Sequence, residues 1–251
     1  MAGPRPAARR SRLALAAIAI AGLVMATGLA ALGTWQVQRR AWKHDLVARV
    51  EARVRADPVE APGPGAWDGL TAEADAYRRV RASGRFRNDR ETLVQAVTDL
   101  GAGFWVLTPL ARGDGTMILV NRGFVPQNRR DPAARADGQI GGETTVTGLL
   151  RLTEPGGAFL RSNAPEAGRW YSRDVAAIAA AQGLTRVAPY FIDADATPNP
   201  GGWPVGGLTI VHFPDNHLVY ALTWYVLALM VLGAVGYTLI DARRGGRRAS
   251  A

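Results

Sequence analysis

Two uninterrupted apolar runs frame the chain. Residues 13–35 read LALAAIAIAGLVMATGLAALGTW and residues 218–240 read LVYALTWYVLALMVLGAVGYTLI, and neither contains a charged side chain. About 20 helical residues, at 1.5 Å per residue, cross the hydrocarbon of a bilayer. Neither run has the polar face of a helix that packs on a soluble core. The pattern predicts two transmembrane helices, over 13–35 and 217–240. Trp35 closes the first run, and Tyr220, Trp224 and Tyr225 crowd the start of the second. Rings at those positions suit the headgroup level on one common side of the membrane. A cleavable signal peptide would have an apolar stretch of about 7–15 residues, shorter than the first run.

Past the first run, Trp35, Gln36, Arg39, Trp42, Lys43, Leu46 and Val50 recur at three- and four-residue spacing, which predicts that the helix continues to about Val54. Asp57-Pro58 and APGPGA at 61–66 end it. Strands are predicted at Tyr77 to Arg87, Glu91 to Val97, Phe104 to Leu110, Thr116 to Val125, Thr144 to Leu152 and Leu208 to Phe213, rich in β-branched and aromatic residues and separated by Gly, Asn or Asp. One helix interrupts them at SRDVAAIAAAQG (172–183), with Ser172 as N-cap, Asp174 in the first turn and Gly183 near the end. Asn128 to Gly142 is polar and irregular and reads as an exposed loop. The expected fold class is α+β: two transmembrane helices flanking an extracytoplasmic domain, residues 36–216, built as an antiparallel sheet or small barrel plus a few helices.

Charge orients this arrangement. The chain carries 30 basic and 21 acidic residues, a net +9. Residues 1–12 hold four Arg and no acid, and residues 241–251 hold four Arg against Asp241, whereas 36–216 is nearly balanced. Excess confined to two tails is not the basic patch of a nucleic-acid-binding domain, so no nucleic acid partner is expected. The positive-inside rule instead puts both tails in the cytoplasm and the central domain outside. Arg39, Arg40 and Lys43 lie on the outer side in this arrangement, which long translocated segments tolerate. A mitochondrial presequence would need a longer Arg- and Ser-rich leader than residues 1–12, so the expected location is a bacterial inner membrane.

The chain has no Cys, which excludes disulfides, zinc–thiolate sites, iron–sulfur clusters and thiol nucleophiles. It has three His: His44 after the first span, His212 in the last predicted strand, and His217 at the second span. His212 and His217 are separated by Pro214 and form no i, i+4 helical pair. No G-x-S-x-G, P-loop or G-x-G-x-x-G follows a strand, and Asp193-Ala194-Asp195 reads as turn and capping carboxylates. No enzyme is expected. His217 stands apart, because an ionisable residue at a span is a functional candidate. Asp215 or Asn216 can cap its helix, and His217, Tyr220, Ala221, Trp224 and Ala228 share one helical face. Two readings stay open at this point. His217 is an interfacial residue bonded to a headgroup or Asn216, or it is an axial ligand of haem iron above an aromatic, Ala-floored face.

Four motifs in order resemble the Surfeit-locus family of cytochrome c oxidase assembly factors. They are Gly33-Thr34-Trp35-Gln36-Val37-Gln38-Arg39-Arg40-Ala41-Trp42-Lys43; Thr108-Pro109-Leu110 with Leu119-Val120-Asn121-Arg122-Gly123-Phe124-Val125-Pro126; Asn163, Pro165, Trp170, Tyr171 and Asp174; and Asn216-His217-Leu218-Val219-Tyr220-Ala221-Leu222-Thr223-Trp224-Tyr225. Phe124 stands where the family often has Trp, and Asp215 where Asn is frequent. The resemblance implies a bacterial membrane chaperone that binds haem a transiently and delivers it to the oxidase catalytic subunit, with haem a synthase as a further partner. It implies His217 as the iron ligand, with Tyr220 and Trp224 beside the macrocycle. Arg39 and Arg40 would grip its propionates, as guanidinium groups hold carboxylates. The alternative is a membrane scaffold that stabilises an oxidase assembly intermediate without binding haem. Asn121-Arg122-Gly123 reads as a turn with a structural Arg ion pair, and Trp170 and Tyr171 as core aromatics.

Overall fold

The computed structural model describes residues 12–158, 160–209 and 215–248, with side chains described from 13 to 244 within those ranges. The chain divides into two compact units, Met1–Val47 with His212–Ala251, and Ala48–Val211.

The first unit is built on α1 (Arg12–Arg55), as far as Val47, and α4 (His217–Arg248), and both helices are long and apolar enough to cross a membrane. Their packing inverts that of a soluble protein. Ala26, Ala221 and Ala228 are buried, whereas Leu23, Val24, Val219, Leu229 and Met230 are exposed. In lipid no hydrophobic force separates helix from solvent, so small residues that let two backbones approach mark the interface. Gly22 lies against Val235, where a Cβ would collide with the valine side chain. Gly33 lies under the Tyr225 ring, where a Cβ would stand 2.8 Å from a ring carbon. Thr34 Oγ1 and Tyr225 Oη are 3.0 Å apart. Contacts that climb α1 therefore descend α4, and the two helices run antiparallel.

The second unit contains a five-stranded closed barrel. β2 (Arg79–Phe86) pairs with β6 (Glu143–Leu152), which pairs with β7 (Val187–Ala194), then β5 (Met117–Pro126), then β4 (Gly101–Ala111), and β4 returns to β2 at Phe86↔Leu110. Gly84 permits that closure, because a Cβ there would meet the Ala111 carbonyl. β3 (Thr92–Thr98) extends β4, and the two-residue β1 (Val59–Glu60) flanks β2. Every barrel pair is antiparallel except β5–β7, so the expected antiparallel barrel carries one parallel pair. Strand alternation sorts the side chains. Val80, Phe86, Val120, Leu150, Tyr190 and Ile192 fill the interior. Leu119 and Phe191, one residue out of phase, form a second core outside it with Trp170, Val175 and Ile178. Trp170 is thus a core aromatic, and Tyr171 is half-buried.

Several expectations change. β7 was not predicted, because Pro189 and the D-A-D sequence imitate a turn. Asp193 lies in that strand and is buried, so it is not a turn carboxylate, whereas Asp195 does cap a turn at Thr197. Asn121-Arg122-Gly123 is mid-strand in β5 rather than a turn, and Arg122 makes no ion pair among the described residues. After the one-turn α2 (Ala72–Asp75), the second helix of the central region, α3 (Val175–Ala181), is capped by Asp174, which accepts from the Ala177 amide at 3.1 Å. Ser172 instead accepts from Gly157 N and Asn163 Nδ2. The 128–142 stretch contains the 3-10 turn Pro132–Gly138, and its Arg135 is buried in an ion pair with Glu91. Of the strand expected at Leu208 to Phe213, Leu208 and Thr209 are not in strand conformation, and 210–213, including His212, lie outside the described residues.

Gly123 supplies a test of the barrel. Its φ of +126° is open to glycine, and a Cβ would strike the Val205 carbonyl that pairs across Phe124. Gly123→Ala should destabilise by on the order of 3 kcal/mol, read as a clear fall in the thermal unfolding midpoint. Gly141→Ala, with open space around its Cβ, should change stability by less than about 0.5 kcal/mol.

Candidate functional site

The register of the two long helices brings polar residues together at one end of their interface. Eleven residues after Gly22 in α1 comes Gly33, and three later Gln36, facing the start of α4. His217 Nδ1 and Gln36 Oε1 are 2.7 Å apart. An amide oxygen only accepts, so Nδ1 carries the proton and donates. In the neutral ring Nε2 of His217 is the lone-pair nitrogen, and it has no partner among the described residues.

Asp215 organises the approach to this pair. One oxygen accepts the His217 amide at 3.1 Å, satisfying an orphan donor of the first helical turn. The other accepts from His44 Nε2 at 2.7 Å and from Arg40 Nε at 3.0 Å. The His44 hydrogen bond, with smaller contributions from the His217 amide and Arg40, pulls the Asp215 carboxyl down to about 2. Arg40 therefore spends its charge on a carboxylate of the same chain. Arg39 turns elsewhere, its guanidinium 4.0 Å from the Trp42 ring centroid, a cation–π contact.

Of the residues singled out from sequence, the structure joins His217 and Arg40 through Asp215 and leaves Arg39 outside that group. Tyr220 is 56% exposed and Trp224 half-buried. Ala221 and Ala228 are buried, so the small residues serve helix packing rather than an open floor. The sequence offers Asp215 as a cap of the second helix, and its carboxylate does accept the His217 amide, whereas its bonds to Arg40 and His44, and Gln36 as the partner of His217, emerge only in the structure. Gln36 belonged to a recognised motif, but only the inter-helix register shows what it touches. No group of three or more His, Cys, Asp or Glu suited to a metal ion occurs among the described residues. A protein-only metal centre is therefore not what this geometry offers; a single imidazole beside exposed aromatic surface is.

A second polar centre sits on the outer face of the barrel. Asp193 accepts from Asn121 at 2.7 Å, Arg151 at 2.8 Å, Arg173 at 3.1 Å and Thr209 at 3.0 Å. Glu154 binds both arginines. Two carboxylates and two guanidiniums balance, and such a satisfied network specifies structure.

Comparison with known proteins covers most of the chain. The family described as SURF1 family matches residues 23–229. Mouse Surfeit locus protein 1 is 41% identical over 212 residues, covering 78% of this chain and 67% of that protein. The human protein of the same name is 40% identical over 214 residues, covering 78% and 69%. A SURF1-like protein of Monosiga brevicollis is 37% identical over 235 residues, covering 86% and 84%.

The Asp215 cluster has a defined acid response. Its folded-state value lies below the ordinary range near 4, so its contribution to the helix pair is present above that range and is lost as pH falls through about 2. A carboxyl titration of Asp215 followed by NMR should show a midpoint near 2. His44→Ala should move that midpoint upward toward the ordinary value.

Proposed function

We propose that this chain, which belongs to the SURF1 family, is a membrane assembly factor for haem-copper cytochrome c oxidase. In this reading it holds a-type haem as cargo through His217 and passes it to the oxidase catalytic subunit. It is not an enzyme. The observation that carries the reading is the His217 ring, tethered at Nδ1 by Gln36 and without a partner at Nε2 among the described residues. A metal-binding histidine characteristically donates its other N–H to an acceptor that fixes tautomer and ring orientation, and imidazole is a frequent axial ligand of haem iron. The exposed ring of Tyr220, three residues on along the same helix, offers apolar surface on that helical face.

The chain's own residues divide the work of holding such a cargo. Gln36 orients the imidazole, and Asp215 fixes the first turn from which it projects. Arg39 has no carboxylate partner among the described residues, so it is better placed than the neutralised Arg40 to receive a propionate. Two apolar helices and Arg-rich tails support a bacterial inner-membrane location, with both termini cytoplasmic and 36–216 periplasmic. Haem a synthase is a reasonable donor of the cargo.

The absorption spectrum of protein purified from cells that make a-type haem tests this directly. The parent should show a Soret band, and His217→Ala should lose it while still inserting in the membrane. Gln36→Leu should keep the band but lower haem affinity by about 10–100-fold, the usual consequence of removing such a partner. Arg39→Gln should weaken retention more than Arg40→Gln, without altering the iron-ligand spectrum. Full haem occupancy with an unshifted spectrum in His217→Ala would sink the ligand assignment and favour a scaffold that grips the oxidase without haem.

A further inference from the structure

Arg122 is the one charged member of a row of inward-facing residues. It follows Ile118 and Val120 at two-residue spacing on β5, and both of those belong to the barrel interior. Alternation therefore sends Arg122 into the barrel, near its end. Its side chain is 2% exposed. Nη2 donates to the Gly138 carbonyl and to Asn199 Oδ1. Nε and Nη1 have no hydrogen-bond partner among the described residues. The guanidinium carbon stands 4.6 Å from the centroid of the Phe86 ring, which offsets part of the charge but accepts no hydrogen bond in the plane of the group.

A buried cation with two unpaired donors is costly unless something compensates it. Glu91, the carboxylate whose charge acts on Arg122, is already engaged by Arg135. The cost is visible in the group itself: burial pulls Arg122 down to about 10, still charged at neutral pH. Arg122 also lines a cavity of about 120 Å³ at this end of the barrel, together with Phe86, Thr144, Val146, Ala194 and Asn199. Asp195 is the acidic residue on its wall, and its carboxylate is occupied by the Thr197 amide and hydroxyl and by Arg79 at 3.9 Å. The charged residues lining the cavity are Arg122 and Asp195; with Asp195 engaged by Thr197 and Arg79, Arg122 is the lining charge whose donors are unmet.

We propose that this barrel-end cavity is a binding site for a small oxyanion, a phosphate or carboxylate group, whose charge Arg122 neutralises. The volume admits a group of that size and not a macrocycle. Binding would supply an acceptor for Nε or Nη1 at a side chain the barrel has already desolvated.

The test uses the full chain in detergent or nanodiscs, with thermal unfolding measured in chloride, inorganic phosphate and acetate at matched ionic strength. Phosphate, acetate or both should raise the unfolding midpoint with a saturating dependence on concentration, and whichever acts names the group recognised. Arg122→Gln should lower the apparent affinity at least tenfold. Ala194→Leu, which fills the cavity and leaves Arg122 in place, should do the same, and it decides the matter alone if Arg122→Gln does not unfold cooperatively. Equal stabilisation of the parent and the variants would assign the effect to surface charge and overturn the proposal. An absence of any oxyanion effect on the parent would overturn it as well.

Discussion

The close approach of α1 and α4 at Gly22 and Gly33 is the constraint on which the candidate site depends. A side chain at either glycine would have to displace Val235 or the Tyr225 ring, and the two helices would separate or slide. Once Tyr225 rests on Gly33, the antiparallel register is set, because each step up α1 is a step down α4. Gln36 then meets His217, and Arg40 and His44 meet Asp215. Lipid adds no hydrophobic drive between the helices, so close packing and a few hydrogen bonds must hold this register. The polar contacts at its end are both a consequence of the packing and part of what fixes it.

The barrel shows how one residue of phase separates two electrostatic outcomes. Asn121 and Arg122 are neighbours on β5, yet they face opposite sides of the sheet. Asn121 points outward and donates to Asp193, which Arg151 and Arg173 balance. Arg122 points inward and finds a carbonyl and an amide in place of a carboxylate. A register slip of one residue would exchange the two, burying the Asp193 partner in the interior and exposing the arginine to the wrong set of acceptors. The parallel β5–β7 pairing and the bulge between Trp105 and Leu107 hold that register in place.

The sequence was most legible where one physical signal dominates. Charge-free runs of apolar residues gave both long helices, and alternation gave five of the six larger strands. Where two signals compete, the reading failed. Pro189 and the acidic pair near Asp193 outweighed the apolar pattern of Val187 to Ile192, so the strand that completes the barrel was missed. Asn121-Arg122-Gly123 has turn-forming chemistry, but its turn residues are buried in a strand and satisfied by partners distant in sequence. The site was half legible. His217 stood out as an ionisable group at a span and Asp215 as a cap of its helix, whereas Gln36 as the partner of His217, and Arg40 and His44 as partners of Asp215, follow only from the register of two helices about 180 residues apart in the chain.

The central claim is that this register places Gln36 on His217, and the Cys-free chain permits a direct measurement of it. Cysteine pairs introduced across the helix pair in membranes and oxidised gently report which positions face one another. The Gln36→Cys/His217→Cys pair should cross-link efficiently, and Gln36→Cys/Trp224→Cys, two turns further along α4, should not. Preferential cross-linking of Gln36→Cys with Trp224→Cys would show a different register and contradict the account.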